Sequence, residues 1–471
     1  MDSENLLSIL FVLDSSPQSG ANIAFFNSFI EQLSDCMAKN VALTVFYPEF
    51  SEKEEHFSLS ITQLPAYRRA VTYIPTRFDS FSETYLNEKM DDVFTFILKD
   101  EHFDAIHIWS FKNHSFNYPS LAKERGIPVV CTLCDGFLFS NSLFEKGFAE
   151  DGGKVRISNF VNSSVTSFIK HFVTIFKPEH RSYWFENVGR YSRFYNRVPS
   201  SGVSPDVFEE RSETADETVR FCDKFVLFSE LEYNFFYRPL IPENKVVFLE
   251  QGISGELDFW NRPFEIEGAV KFCFTGEILP EEGILELVEA FNILYSEGFH
   301  NELHIYGETH ENQNYFNKLK QKVKNPDIFF HGPVQGGRIN AALDTAEVLI
   351  IPAKWFRNDA FLANNAIAER KALIVSGKNA IAEKVRKSGR GIVLDEVTPR
   401  AIADAVTELE CNRKRLYYFM RITDDFKVPD ISENCAFLTS LYGELAKNSR
   451  ESDSLLLAKK LNRRRKERQR G

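Results

Sequence analysis

Buried strands and amphipathic helices alternate twice along this 471-residue chain, and that rhythm restricts it to parallel sheets with helices on both faces. LLSILFVLD (6–14) is a continuous apolar run, as expected of a strand buried on both sides. A polar loop follows, then ANIAFFNSFIEQLSDCMAKN (21–40), with apolar residues at helical spacing, and VALTVFY (41–47) returns as a strand. FDAIHIWS, PVVCTL, DKFVLFS and KVVFLEQGI supply four more strands before residue 254. Residues 251–268 break the pattern with Gly, Pro and charges, which marks an interdomain linker. The alternation resumes at Lys271 and runs to about Glu410. The expected organisation is a first α/β domain over residues 1–250, the linker, and a second over 269–430. A C-terminal helix at 431–450, centred on Ser432 to Lys447, and a basic tail at 451–471 complete it.

Charge is segregated. Lys459 to Gly471 holds eight Lys or Arg and one Glu, and without it the remaining chain carries a net charge of −18. A body this acidic excludes broad nucleic-acid or anionic-bilayer binding, leaving the tail as a solvated helical end or a contact for an acidic partner or membrane surface. No run of 18 apolar residues and no leader-like segment is present, and seven Cys lie without a disulfide-like framework. Those features fit a reducing cytoplasm, with membrane association through the tail as a further expectation.

One segment interrupts the first domain. Residues 136–214 are rich in Phe, of which the chain has 45, and Phe160, Phe168, Phe172 and Phe176 share one stripe if the segment is helical. Arg181, Arg190, Arg193 and Arg197 follow, interleaved with Tyr183, Trp184, Phe185 and Phe194. This helical, aromatic-rich insertion either packs on the first sheet or presents a surface to a protein partner, a second copy, a sugar chain or a membrane interface. Phe168, Phe172, Trp184 and Phe194 are its candidate partner-surface residues.

The densest motif set lies in the second half: FCFTGEILPEEGILELVEAF (272–291), LHIYGE (303–308), IFFHGPV (328–334), and AEVLIIPAKWFRNDAFLANNAIAERKALIVSG (346–377). Together these resemble retaining nucleotide-sugar glycosyltransferases of the GT-B fold, in the family numbered 4. The resemblance covers roughly residues 5–450, most strongly 270–400. It implies two facing Rossmann-like domains, a donor site on the second, and hexosyl transfer without a metal. Its turn positions fall at Gly20, Gly276, Gly307 and Gly332. It also implies an Arg and a Lys on the donor pyrophosphate, a His in the first domain and a pair of Glu in the last segment. At those places this sequence has Glu277, Glu282, Cys134, and Arg357 with Asn365.

Reversing a charge beside a pyrophosphate is costly. Two unit charges 4 Å apart are worth roughly 4 kcal/mol at an effective dielectric of 20, so each exchange of attraction for repulsion swings up to about twice that. Two functions remain open: a degenerate relative that binds or scaffolds in surface-glycan or glycoprotein assembly, or an active retaining transferase with an altered donor site. The first needs no cofactor. The second takes a nucleotide sugar and a glycan or glycoprotein acceptor.

No catalytic residue is identified. His107 and His114, at the end of the FDAIHIWSF strand, are the general-base candidates, each with a structural role as the alternative. Cys131 and Cys134 form a C-x-x-C with no second Cys or His pair nearby, so they are read as small core or cleft residues, and no metal site is expected.

Overall fold

The computed structural model describes residues 6–468 apart from 17–23, 39, 76–77, 79, 81, 134–136, 140–204, 255–265, 267, 308–312, 335–338, 355–359 and 422–425. In the first half the elements are β1 (Leu7–Val12), α1 (Ala24–Met37), β2 (Val41–Phe50), β3 (Leu59–Gln63), β4 (Arg68–Ile74), α2 (Glu88–Asp100), β5 (Ala105–Ile108), α3 (Tyr118–Lys123), β6 (Val129–Thr132), α4 (Pro205–Phe221), β7 (Lys224–Leu227) and β8 (Val246–Phe248). They form an eight-stranded sheet in the order β3-β4-β2-β1-β5-β6-β7-β8, parallel except for the β3–β4 pair.

The second half runs β9 (Phe272–Thr275), α5 (Ile284–Ser296), β10 (Leu303–Tyr306), α6 (Gln313–Lys322), β11 (Ile328–Gly332), α7 (Ile339–Leu343), β12 (Val348–Ile351), α8 (Ala360–Ala368), β13 (Ala372–Ser376), α9 (Ala382–Ser388), β14 (Ile392–Leu394), α10 (Pro399–Cys411) and α11 (Arg413–Phe419). Its six strands lie in the order β11-β10-β9-β12-β13-β14, all parallel. A last helix, α12 (Ile431–Arg468), returns to the first half. The helix expected at 431–450 is part of this element, which continues into the basic stretch.

Local chemistry explains these elements. Helix α2 starts at Asn87, whose side chain accepts a hydrogen bond from Met90 N at 3.1 Å. It buries Met90, Val93, Phe94, Ile97 and Leu98, the stripe of a helix packed on a sheet. Helix α10 begins with the Thr398 cap and Pro399 at its first turn. The central strands of both sheets are buried residue after residue, as sheets covered on both faces require. Strand β3 is the element the alternation leaves out, because LSITQ is a largely exposed edge strand with little apolar signal.

Two hydrophobic clusters line the outer faces of the two sheets, and a third lies between them and draws on both halves. In it, Phe29 of α1 meets Phe361 of α8, ring to ring at 5.7 Å and 63°. Helix α12 completes this layer, burying Cys435, Leu438, Tyr442 and Ala446 against β1, β5 and α1. The chain crosses between the halves twice at one place. Ile253 bridges Asp430, with Ile253 N on Pro429 O at 3.1 Å and Ile431 N on Ile253 O at 2.9 Å. Gly252 fits there because a Cβ would lie 2.8 Å from the Asp430 carbonyl carbon.

Candidate functional site

The strand order of the second sheet reverses between β9 and β12, and ligands of open α/β sheets bind outside the strand C-termini at such a switch point. Three turns meet there. Gly276 N donates to Tyr306 O at 3.1 Å, and Gly307 N donates to Gly332 O at 2.8 Å. A Cβ on Gly307 would lie 2.2 Å from Gly276 O, so only glycine lets the two turns touch. Gly283, at φ +71°, opens α5 and would drive a Cβ to 2.1 Å from Pro352 O at the end of β12. The β9–α5 turn is therefore pressed against β12 across the switch point.

The charges on this frame are negative. Glu277 is half-buried just after β9, and its Oε2 is buried with no hydrogen-bond partner among the described residues. Glu282 is buried at the end of the 3-10 turn Pro280–Glu282. Glu286, in the first turn of α5, pairs with Lys354 Nζ at 2.8 Å. Carboxylates at a helix N-terminus favour the helix by about 0.3–1 kcal/mol each, and they occupy the ground an incoming anion would need.

Lys354 is a cation that the sequence reading did not single out. It follows β12, lies 68 residues from its partner, and is roughly half-exposed. Lys378, just after β13, donates to Lys354 O at 2.6 Å. The only sequence signal for either is a Lys directly after a strand at the ligand-binding end of the sheet.

Asn365 turns its amide onto Phe361 O one helical turn back, at 2.7 Å. The Phe361 amide at the start of α8 is taken by Gln251 Oε1 at 2.9 Å, and Asn364 donates to Gln251 O. Gln251 belongs to the interdomain crossing, so the start of α8 is held by the hinge. Cys134, Arg357 and Gly20 lie outside the described residues, as do Phe168, Phe172, Trp184 and Phe194.

Both histidines offered as general bases are structural. His107 is fully buried on β5, with Nδ1 2.6 Å from the Tyr442 hydroxyl and Nε2 2.7 Å from Thr132 Oγ1. Burial holds its pKa well below the usual imidazole value, so it stays neutral. His114 is buried too, with Nε2 2.6 Å from Leu13 O, and burial lowers its pKa to about 4. Cys131 is fully buried, its Sγ 3.7 Å from Cys222 Sγ. Among the described residues, no group of three or more His, Cys, Asp or Glu is placed to enclose a metal ion.

A residue that sequence reading did not single out governs the chain leaving β6. Arg211 on α4 is fully buried, its guanidinium 5.0 Å from the Phe116 ring and 5.1 Å from Phe137. It donates to the carbonyls of Phe137 and Leu138, fixing the segment just beyond Cys134. Nothing in its sequence neighbourhood separates it from other helix-surface arginines.

Two opposed α/β sheets, a double crossing and a C-terminal helix that returns to the first sheet define a protein of the GT-B class. Residues 258–421 match the family described as glycosyl transferases group 1. The chain is similar in structure to a sucrose-phosphate synthase from Thermosynechococcus elongatus, with a TM-score of 0.58, 13% identity, and coverage of 96% of this chain and 99% of that one. It is also similar to a trehalose-phosphate synthase from Burkholderia xenovorans (TM-score 0.56, 12% identity, 94% and 99% coverage). The Anabaena protein HepE, solved with UDP and glucose, matches with TM-score 0.54 at 11% identity over 95% and 99%. At such identities the likeness is one of fold. The sequence matches none of the curated proteins compared. Among the described residues no helix is long and apolar enough to cross a membrane.

Proposed function

We propose that this GT-B protein has a degenerate nucleotide-sugar site and acts as a binding or scaffolding partner in the assembly of surface glycans or glycoproteins. The observation that carries the reading is the trio Glu277, Glu282 and Glu286 at the N-terminal end of α5, over a turn frame that is otherwise intact. A pyrophosphate brought to that helix end meets carboxylates where attraction is needed. Glu277 Oε2, buried and without a hydrogen-bond partner among the described residues, adds to the field that opposes it. Lys354, which follows β12 beside the site, is engaged by Glu286. The aromatic insertion around Trp184 and Phe194 is the proposed partner surface, and the basic stretch after Lys459 a second, salt-sensitive one.

Calorimetric titration with UDP, GDP and their common hexose conjugates tests the reading. The expected result is no dissociation constant below about millimolar, near −4 kcal/mol. A micromolar constant for any of them overturns it.

The second reading, an active retaining transferase with an unusual donor site, draws support from Lys354 and Lys378 meeting beside the same helix. Under it, a donor phosphate displaces Glu286 from Lys354. Hydrolysis or transfer from a nucleotide sugar, lost on Lys354→Ala, would favour this second reading.

A further inference from the structure

Strands β10 and β11, at the edge of the second sheet, carry a row of rings that ends beside the glycine turns. Phe329 lies on His304 at 5.3 Å, His304 beside His331 at 5.1 Å, and His331 on Tyr306 at 4.5 Å. The strand pairing skips one residue here: Ile305 is opposite Phe330, and Tyr306 is opposite Gly332. His331 is therefore the extra residue of a β-bulge, which re-aims its side chain. Its ring is seated between those of His304 and Tyr306. Directly after it, Gly332 O accepts from Gly307 N at 2.8 Å, the bond that ties β11 into the turn frame of the candidate site.

His304 Nδ1 and His331 Nε2 meet head-on, 2.9 Å apart. An N–H···N hydrogen bond of that length holds one proton, donated by one ring to the lone pair of the other. His304 Nε2 lies 3.1 Å from Glu302 Oε2, an acceptor, so its hydrogen sits there and His331 Nε2 is the donor to His304. A first added proton enters at His331 Nδ1 and leaves the contact intact, because a cationic donor strengthens it. A second has only His304 Nδ1 to go to. Both facing nitrogens then bear hydrogens, the bond is lost, and two like charges lie in neighbouring rings.

We propose that the His304–His331 contact is an acid-operated latch: with one shared proton it holds the bulge closed, and a second proton releases His331 and loosens the pairing of Gly307 with Gly332. The latch acts on the turn frame whatever the site binds. Its charged surroundings on β10 and β9 are Glu302, whose pKa the hydrogen bond from Lys271 lowers, and Lys271 itself at 3.0 Å. At the opposite end of the strands His300 pairs with Asp327 at 3.3 Å. Cys273 on β9 stays protonated, since burial raises its pKa to about 12. Helix α7, packed on β9, has no titratable side chain, and α6 lies on the other face, with Phe316 against Phe330. Partial desolvation, and then His304, lower the His331 pKa from the usual imidazole value. The closed form is therefore kept at neutral pH and lost as pH falls through the second step.

Two readouts on the full chain, taken from about pH 8 to about pH 4, test this: histidine Cε1 resonances, and amide deuterium uptake corrected for its intrinsic rate. The pair is expected to titrate in two steps more than about one pH unit apart. Uptake in peptides covering β10 and β11 should rise at least about threefold across the lower step. His331→Phe keeps a ring between His304 and Tyr306 but binds no proton, so uptake in those peptides should stay flat and one step should remain. Two unsplit steps in the wild type, or flat wild-type uptake across the lower one, overturn the latch even without the variant. The same rise in a folded His331→Phe overturns it as well.

Discussion

The hydroxyl of Tyr442, on the last helix, lies 2.6 Å from Nδ1 of His107, 335 residues earlier and at the heart of the first sheet. A second bond, from His107 Nε2 to Thr132 at 2.7 Å, completes the ring's partners. Tyr442→Phe removes one partner and leaves a buried nitrogen without its bond. The expected cost is about 1–3 kcal/mol, read as a lowered denaturation midpoint with an unchanged slope. Equal stability of the variant would mean that the contact does not anchor the helix.

At the interface of the two halves, Phe361→Ala should cost about 3–5 kcal/mol, because Phe361 is fully buried against Phe29. The same variant should still unfold in one transition, since the cluster it weakens is shared by both sheets. Two separated calorimetric transitions in the wild type would contradict a shared core.

Restoring charge should restore binding. Glu277→Arg with Glu282→Lys is expected to bring UDP or GDP binding from beyond millimolar into the micromolar range. Glu286→Gln, which releases Lys354, should strengthen it further but not additively, because all three act on one ligand. A folded triple variant that binds no nucleotide would place the loss of function beyond these charges.

Glu232 gives a pH dependence of known sign. It is buried in the helical turn after β7, next to the π-helix Tyr233–Tyr237, and its Oε2 has no partner among the described residues. Burial raises its pKa to about 8. The folded chain thus holds a proton that the unfolded chain releases near the ordinary glutamate value. Its contribution is fully present below that value and is lost as pH rises through about 8. Glu232→Gln keeps a neutral side chain throughout, so its melting temperature should exceed that of the wild type increasingly between pH 5 and pH 8. Parallel curves for the two proteins would place the carboxyl in contact with water.

Much of the architecture was legible because buried parallel strands write themselves as apolar runs. LLSILFVLD contains β1 and AEVLII contains β12. Strand β3 was not legible, since a half-exposed edge strand carries little apolar signal. The glycine turns were legible as motifs, but their mutual contact, Gly307 on Gly276 and Gly283 on Pro352, depends on sheet order that no short segment encodes. The same holds for Lys354 on Glu286. His107 and His114 looked reactive because strand ends often are, and only their surroundings show both nitrogens of His107 engaged.

The return of α12 to the first sheet has a consequence for how the protein is made. The helix that covers β1 and β5, with Tyr442 and Leu438 in its buried stripe, is synthesised long after them: Tyr442 follows its partner His107 by 335 residues. Until then one face of the first sheet exposes Leu7, Phe11 and His107 to water, a surface suited to chaperone capture or aggregation. A nascent chain halted before Ile431 therefore remains an unfinished sheet, and the first half matures only after the second half has been translated.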